Sequence, residues 1–199
     1  MPRYPSPTRP PPRERLSLEA AAVRAPGEPF ELLDGRRLSM RPVRSDDAER
    51  LRRGFARLTP EQVRLRVFYR MTELTPDMLD RMVNFDPERV AAYVATDADG
   101  EIRGEARLFV DRTLDSAEFA LIVDPELTGL GVGRRLMRTL IDDARGRGLT
   151  ELWGSVLAEN ATMLDFCSRL GATREAVPGE PDLVCVRFDL NDARIAGAS

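Results

Sequence analysis

The sequence predicts an α/β or α+β fold in which helices flank a mixed sheet, and three observations support this class. Strand-like and helix-like segments interleave along the chain instead of separating into blocks. The 199 residues are 42% apolar, enough for one core, and 32% charged, which gives an ordinary solvated surface. No apolar run approaches the ~18 residues that a membrane span needs, so we expect neither export nor a membrane partner.

The basic residues restrict the chemistry open to this chain. All 30 are arginines, because the sequence contains neither lysine nor histidine. This excludes histidine-based nucleophile pairs, Schiff-base chemistry and a lysine-containing phosphate loop, so proton transfer falls to Glu, Asp, Tyr, Cys or water. The net charge of −3 predicts no nucleic acid partner. Cys167 and Cys185 lack metal-binding spacing, and we expect reduced thiols, no metal and a cytoplasmic location.

Both ends of the chain are predicted to be tails. Residues 1–35 hold more than half of the 15 prolines, which lack a backbone donor and favour extended conformations. A short helix at 16–24 and a docking role for the segment are alternatives to a solvated leader. Small residues predict a second tail at 192–199, which leaves residues 36–191 as the folded domain.

The first predicted elements of this domain are one strand and three helices. Leu38–Val43 has strand character. Ser45 then caps a helix over 45–58 whose first turn holds two aspartates, where carboxylates suit the helix dipole. The Thr-Pro pairs at 59–60 and 75–76 each join an N-cap to a proline at the first helical position, so each predicts a short helix.

Strands and helices alternate in the rest of the chain. Val90–Thr96 is rich in β-forming residues and stops at the turn signal 97–100, so it predicts a hairpin with Ile102–Val110. Ala117–Val123 is predicted as a third consecutive strand. The remaining predicted elements are a helix at 133–147, a strand at 151–157, a helix at 160–170 and a strand at 183–190.

A glycine-rich turn lies in the segment 121–137. After a buried strand, Gly129, Gly131 and Gly133 alternate into the start of a long helix. Glycine permits positive φ and close approach of a ligand, and the unpaired N–H groups of a first helical turn attract anions. We interpret the turn, with Arg134 after it, as a pyrophosphate cradle; a flexible strand-to-helix turn is the alternative.

These residues resemble a known family. The two central motifs of the GNAT superfamily of N-acetyltransferases are similar to VDPELTGLGVGRRLMRTLIDDARGRGLTELWGSVLAENATMLDFCSRLGA. More narrowly, RPVRSDDAERL and FARLTPEQVRLRVFY resemble the acetyltransferase domain of Pat-type protein lysine acetyltransferases. The resemblance implies the GNAT fold, a mixed, mostly antiparallel sheet of six to seven strands that is splayed at its centre and flanked by helices on both faces. It also implies acetyl-CoA as the acyl donor.

The resemblance assigns the acetyl-CoA site to two backbone segments. The diphosphate would bind amides of the glycine turn, and the pantetheine arm would pair like an extra strand at the splay. Gly131 and Gly133 fit the family's loop, whereas Thr128 stands where the family has Arg or Gln. The implied cofactor-binding residues are Leu121, Ile122, Val123, Thr128, Gly129, Leu130, Gly131, Val132, Gly133, Arg134 and Asn160.

Acetyl transfer to an amine requires a base, because an alkyl ammonium with a pKa of ~10.4 must lose a proton before it attacks a thioester. Strand alternation places Glu118 in an apolar run on the opposite face from Phe119, where desolvation raises a carboxyl pKa. In the resembled Pat-type enzymes a glutamate in the equivalent strand is the general base. A solvent-facing residue or an arginine partner is the alternative for Glu118, and Glu105 is the second candidate base.

Three other residues have two interpretations or a structural one. Asn160 precedes a predicted helix as an N-cap, and the family also uses an asparagine here to contact CoA. Cys167 stands where many GNAT enzymes have a tyrosine general acid; we interpret it as a core thiol, with proton donation as the alternative. Trp153 is predicted to lie in the core.

The sequence thus predicts an acetyl-CoA-dependent N-acetyltransferase that acts on an amine, with a protein lysine as one candidate acceptor. An acyl-CoA-binding regulatory module with little or no catalysis is the alternative, suggested by Thr128 and Cys167. The short helices within 59–84 and the loop Pro178–Asp182 are expected to select the acceptor. A small-molecule amine, a peptide N-terminus and a homodimer stay open.

Overall fold

A single sheet lies at the centre of the computed structural model, which describes residues 27–68, 71–111, 115–192 and 195. Within these ranges its eight strands are β1 (Glu28–Glu31), β2 (Arg37–Pro42), β3 (Val90–Thr96), β4 (Ile102–Val110), β5 (Ser116–Val123), β6 (Glu151–Leu157), β7 (Thr173–Val177) and β8 (Glu180–Asp189). Their spatial order is β1-β2-β3-β4-β5-β6-β8-β7. Every neighbouring pair is antiparallel except β5 and β6, which are parallel.

Helices cover the sheet on both faces. In the described ranges they are α1 (Ala48–Ala56), α2 (Pro60–Val67), α3 (Pro76–Val83), α4 (Val132–Gly146) and α5 (Ala161–Arg169), with 3₁₀ turns at Ser45–Asp47 and Pro125–Leu127. β3 divides the core between two apolar clusters: Ala95 packs in the cluster that holds Leu136 of α4, and Val94 in the cluster that holds Leu51 of α1. None of the helices seen in these ranges combines the length and the apolar character needed to cross a bilayer.

The predicted fold class and main elements are confirmed. β3, β4 and β6 have the predicted bounds, and the ends of β2, β5, β8, α4 and α5 lie within three residues of the predicted ends. Both Thr-Pro helix starts are present, because the side chains of Thr59 and Thr75 accept hydrogen bonds from the backbone N–H groups of Gln62 and Met78. Local capping chemistry therefore fixed where α2 and α3 begin.

The prediction of six to seven strands was wrong, because β1 and β7 were missed. β7 is almost entirely exposed, so it lacks the apolar alternation that indicates a strand. β1 contains Pro29, which is tolerated because β1 lies at the edge of the sheet. Pairing with a neighbouring strand, which a local pattern does not encode, forms both elements.

Parts of both predicted tails belong to the fold. β1 lies within the segment 1–35 and pairs with β2, and Phe30 packs against the main core. Ile195, within the predicted tail 192–199, is 8% exposed and belongs to the same cluster. The predicted helix at 16–24 lies outside the described residues.

A buried ion pair replaces the cap predicted at Ser45. Residues Ser45–Asp47 form a 3₁₀ turn, and the Asp47 carboxylate accepts hydrogen bonds from Arg41 at 2.6 and 2.8 Å and from the backbone N–H of Arg44 at 2.8 Å. Asp47 is fully buried and Arg41 is 8% exposed. Burial alone would raise the pKa of Asp47, but the bonds from Arg41 and Arg44 outweigh it and hold that pKa below its usual range.

We predict that Asp47→Ala lowers the free energy of unfolding by about 3–5 kcal/mol, because it leaves the Arg41 guanidinium buried without its counter-charge. Urea denaturation at pH 7 measures this loss. Because the pKa of Asp47 is lowered in the folded state, its contribution is present above the unfolded pKa and disappears as the pH falls through the folded pKa. The matched control is Asp46→Ala, since Asp46 is exposed and its loss changes little. Equal effects of the two substitutions would contradict the assignment.

Candidate functional site

The sheet opens between β5 and β6. These strands pair only at Ser116–Glu118 with Glu151–Trp153, although β5 stays paired with β4 to Val123 and β6 with β8 to Leu157. The β6-facing edge of residues 119–123 is therefore unpaired with β6. This opening confirms the predicted splay at the centre of the sheet.

A ring from β5 fills the floor of the opening. A Cβ atom on Gly154 of β6 would lie 2.8 Å from the Phe119 ring, so only glycine fits there. Phe119 also packs edge-on against Phe188 of β8, with ring centroids 5.8 Å apart. The Phe119 ring therefore packs over the backbone of Gly154, where a larger residue would require the ring to move.

The glycine turn begins where the splay ends. Gly129 and Gly131 have φ angles of +82° and +98°, which L side chains rarely adopt, and Gly131 precedes the first residue of α4. Within the described residues, the backbone N–H groups of Gly129, Gly131, Val132 and Gly133 donate no hydrogen bond. The first helical bond runs from Arg135 N–H to the Gly131 carbonyl. These open donors at a helix N-terminus form an anion cradle.

Two of the predicted amides are used inside the turn itself. The Thr128 N–H donates to the Pro125 carbonyl at 3.4 Å and the Leu130 N–H to the Leu127 carbonyl at 3.2 Å. On β5, the Val123 carbonyl accepts a hydrogen bond from Gln62 Nε2 at 3.3 Å. The backbone offered to a ligand is therefore narrower than the predicted set.

Asp124 fixes the entry to the glycine turn, and the sequence did not single it out. Its buried carboxylate accepts hydrogen bonds from Arg57 Nε at 2.9 Å, Arg103 Nη1 at 3.1 Å and the Glu126 N–H at 3.1 Å. Burial raises the pKa of Asp124, but these three donors together lower it below its usual range. The signal available in the sequence was the aspartate before Pro125, which is a common cap.

Glu118 lies at the point where the splay begins. It is the last β5 residue paired with β6, and its cross-strand neighbours on the same face are Phe109 of β4 and Trp153 of β6. No described side chain makes a hydrogen bond or ion pair with its carboxylate, which remains partly exposed. Desolvation by its surroundings raises the pKa of Glu118, and the positive charge of Arg66 opposes this rise.

The second candidate base is occupied. The Glu105 carboxylate accepts a hydrogen bond from Arg107 Nε at 2.5 Å within a buried ion pair. Trp153, predicted to lie in the core, is only half-buried on the face that carries Glu118, and the two core clusters described do not include it. That prediction was wrong because side-chain alternation on β6 turns Leu152 inward instead.

Asn160 caps α5, and Cys167 lies in the core. The Asn160 side-chain oxygen accepts a hydrogen bond from the Met163 N–H at 3.1 Å, so the predicted N-cap is present and its amide nitrogen is left for a ligand. Cys167 is fully buried in the core, and burial raises the pKa of its thiol to about 12. A thiol with that pKa is a poor proton donor near neutral pH.

One cavity lies on the sheet face that carries Glu118, and another lies away from the splay. One of about 350 Å³ lies between α1, α2, α3 and the sheet face that carries Glu118, and Phe109 lines it. Another of about 540 Å³ lies on the outer side of α4, beside Tyr93 and Arg138, away from the splay. In the part of the chain that the structure describes, no group of three Cys, Asp or Glu side chains is placed to hold a metal ion.

Comparison with known proteins matches this geometry to one family. The model of the acetyltransferase (GNAT) family matches residues 54–172. Acetyltransferase PA5475 of Pseudomonas aeruginosa is 33% identical over 160 residues, which cover 79% of this chain and 86% of that protein.

Solved structures agree in fold. The GNAT domain of S. lividans PAT superposes with a TM-score of 0.76 at 27% identity and covers 81% of this chain and 95% of that one. The structure of yncA, a putative acetyltransferase from Salmonella typhimurium with its cofactor acetyl-CoA, has a TM-score of 0.61 at 21% identity, with 78% and 95% covered.

We predict that neither cysteine reacts rapidly with a disulfide reagent in the folded protein at pH 8. Cys167 and Cys185 are buried, and burial raises both thiol pKa values, so little thiolate is present or accessible. Absorbance after addition of the reagent measures this, and unfolding in guanidinium should release two equivalents. A rapid phase of one equivalent in the native protein would show that a cysteine is accessible after all.

Proposed function

This chain belongs to the acetyltransferase (GNAT) family and is an N-acetyltransferase, and we propose that it transfers an acetyl group from acetyl-CoA to an amine by direct attack, with Glu118 as the general base. One observation carries the proposal. The unpaired Glu118 carboxylate lies where β5 and β6 separate, on the strand that leads into the open amide cradle.

The residues of the splay suit the shape of acetyl-CoA. The open N–H groups of Gly129, Gly131 and the first turn of α4 would hold the diphosphate. Neither glycine carries a side chain that would crowd the diphosphate, and a side chain at either position would be strained. The unpaired edge of Leu121–Val123 would pair with the pantetheine arm, and the Asn160 amide nitrogen would donate to it. Bound there, acetyl-CoA supplies the thioester that is attacked.

Glu118 then has a defined task. It takes a proton from the acceptor ammonium, directly or through water, and leaves the nitrogen lone pair free to attack the thioester carbon. A raised pKa makes the Glu118 carboxylate a stronger base than a glutamate with the ordinary pKa. Cys167 is buried with a pKa of about 12, so water instead of this thiol protonates the departing thiolate.

Several finer assignments belong to this proposal. The catalytic domain would span residues 36–191 extended by β1. A cytoplasmic location and a homodimer follow the sequence-based expectations, and a protein lysine is one of the acceptors to be tested. The net charge of −3 argues against nucleic acid as a partner. The acyl-CoA-binding regulatory module is the outcome expected if the protein binds CoA without acetylating any amine.

We predict that Glu118→Gln lowers kcat by about 100-fold or more while the Kd for CoA stays within twofold, because the amide keeps the shape of the side chain but does not accept a proton. Thiol release with an amine acceptor measures kcat, and calorimetry measures CoA binding.

The matched control for this substitution is Glu49→Gln, an exposed glutamate of α1 outside the site. It should leave both quantities unchanged. Full turnover by Glu118→Gln would rule out Glu118 as the base.

We predict that Gly131→Ala raises the Kd for CoA by about 5- to 30-fold, since an alanine at positive φ costs about 1–2 kcal/mol and the free loop relaxes out of the binding geometry. Gly100→Ala is the control, because Gly100 has a φ of +78° in the β3–β4 turn, with equally open surroundings. Both variants should lose similar stability, whereas only Gly131→Ala should lose CoA affinity. Equal CoA affinity of the two variants would remove the glycine turn from the binding site.

A further inference from the structure

The cavity on the sheet face that carries Glu118 has the size and lining of a small-molecule site. Its volume of about 350 Å³ falls within the range of ligand pockets, and its outer wall consists of apolar side chains from α1, α2, α3 and the segment before α3. Methionines at 71, 78 and 82 give this wall an adaptable surface. Phe109, the cross-strand neighbour of Glu118, lines the cavity and connects it to the candidate base.

The floor of the cavity carries more positive than negative charge. Arg107 is 4% exposed, and its Nη2 atom has no hydrogen bond of acceptable geometry within the described residues, although Glu105 lies beside it. Arg66 also lines the cavity, and no described residue forms a hydrogen bond or ion pair with its guanidinium. Arg81 lies exposed at the rim.

The other charges in this cavity are already matched. Asp124 is engaged by Arg57 and Arg103, and Arg103 also pairs with Asp97 at 2.7 Å. Glu105 pairs with Arg107, so the Arg66 guanidinium is left without a hydrogen-bonded counter-charge among the described residues, and the Glu105 and Glu118 carboxylates act on it only through longer-range attraction. Unpaired buried donors next to a cationic group are the arrangement that recognises an anion.

We infer that the acceptor is a free amino acid with an apolar side chain, an inference that rests on the proposed acetyl transfer. The carboxylate of the amino acid lies between Arg66 and Arg107, its side chain contacts the methionine wall, and its amine points to Glu118. The amine nitrogen forms a bond to the acetyl carbon while the carbon–sulfur bond of the thioester breaks. Glu118 takes the proton of the amine, and the CoA thiolate is protonated by water.

The same charges disfavour a lysine side chain in the cavity. A lysine ammonium placed where the carboxylate would bind meets the Arg66 guanidinium, and like charges in a partly desolvated site repel, whereas the amine of an amino acid is directed to Glu118 while its carboxylate faces Arg66. An anionic group instead completes the hydrogen bonding of these arginines. The cavity thus favours an amine whose molecule also carries a carboxylate over an amine whose molecule does not.

The first test compares acceptors that differ only in charge. Thiol release from acetyl-CoA is measured with L-leucine, L-phenylalanine and L-methionine, with their three carboxamides, and with a lysine peptide whose N-terminus is blocked. We expect kcat/KM for each amino acid to exceed that for its carboxamide by about 10-fold or more, the value of a charge-assisted hydrogen bond. Equal rates for acids and amides, or the peptide as the best acceptor, overturn the inference and leave the proposed acetyl transfer standing.

A binding measurement keeps the inference testable without turnover. Trp153 is the only tryptophan of the chain and is the cross-strand neighbour of Glu118, so its fluorescence reports on this site. With CoA present, L-leucine should change the emission with a Kd about 10-fold or more below that of L-leucinamide. Equal affinities, or no binding of either, overturn the inference. Preferential binding of L-leucine without acetylation of any acceptor supports the cavity assignment and refutes the proposed acetyl transfer instead.

Arg66→Gln tests the arginine itself. The variant should raise KM for L-leucine by about 10- to 100-fold and leave KM for acetyl-CoA and for L-leucinamide unchanged. Arg66→Lys, which keeps the charge, should retain part of the preference, and Arg52→Gln, on the exposed side of α1, should behave as the unmodified protein. An equal loss for L-leucine and L-leucinamide would mean that Arg66 shapes the site without recognising the carboxylate, which overturns the inference.

Discussion

The divergence of β5 from β6 is the constraint on which the rest of the molecule depends. Two parallel strands that stayed paired would use their own backbone groups, and the sheet would offer nothing to a ligand. The strands separate after three paired residues, and the Phe119 ring occupies the space that Gly154 leaves free. The separation leaves Glu118 at its narrow end and directs the chain into the glycine turn at its wide end.

An ion pair and a hydrogen bond attach α1 and α2 to the β5 side of this opening. Arg57, at the end of α1, reaches Asp124, which orders the turn that leads to the amide cradle. Gln62 of α2 reaches the Val123 carbonyl at the end of β5. The helices that enclose the cavity are therefore attached to the backbone that leads into the glycine turn, which fixes the position of the cavity relative to that turn.

The sequence predicted the elements whose signals are local. Thr59 and Thr75 cap their helices through bonds to residues three positions on, and β3 and β4 alternate or concentrate apolar residues within a few positions. β1 and β7 have no such signal, since they are short, largely exposed edge strands that form by pairing with β2 and β8. Ser45 does not cap the helix as predicted. Instead, Ser45–Asp47 form a 3₁₀ turn in which the Asp47 carboxylate accepts hydrogen bonds from Arg41 on the preceding strand.

At the site, too, features with local signals could be predicted from the sequence, whereas contacts between distant residues could not. The sequence by itself determined the open amides at Gly129 and Gly131 and the strand position of Glu118, because glycine spacing and strand alternation act over a few residues. The pairing of Glu105 with Arg107, two residues further along β4, is also local. Only the tertiary structure decided that Trp153 borders Glu118 and that Arg66 faces a cavity without a hydrogen-bonded counter-charge among the described residues. These outcomes depend on register between strands and on helices packed across the sheet, which distant parts of the chain supply together.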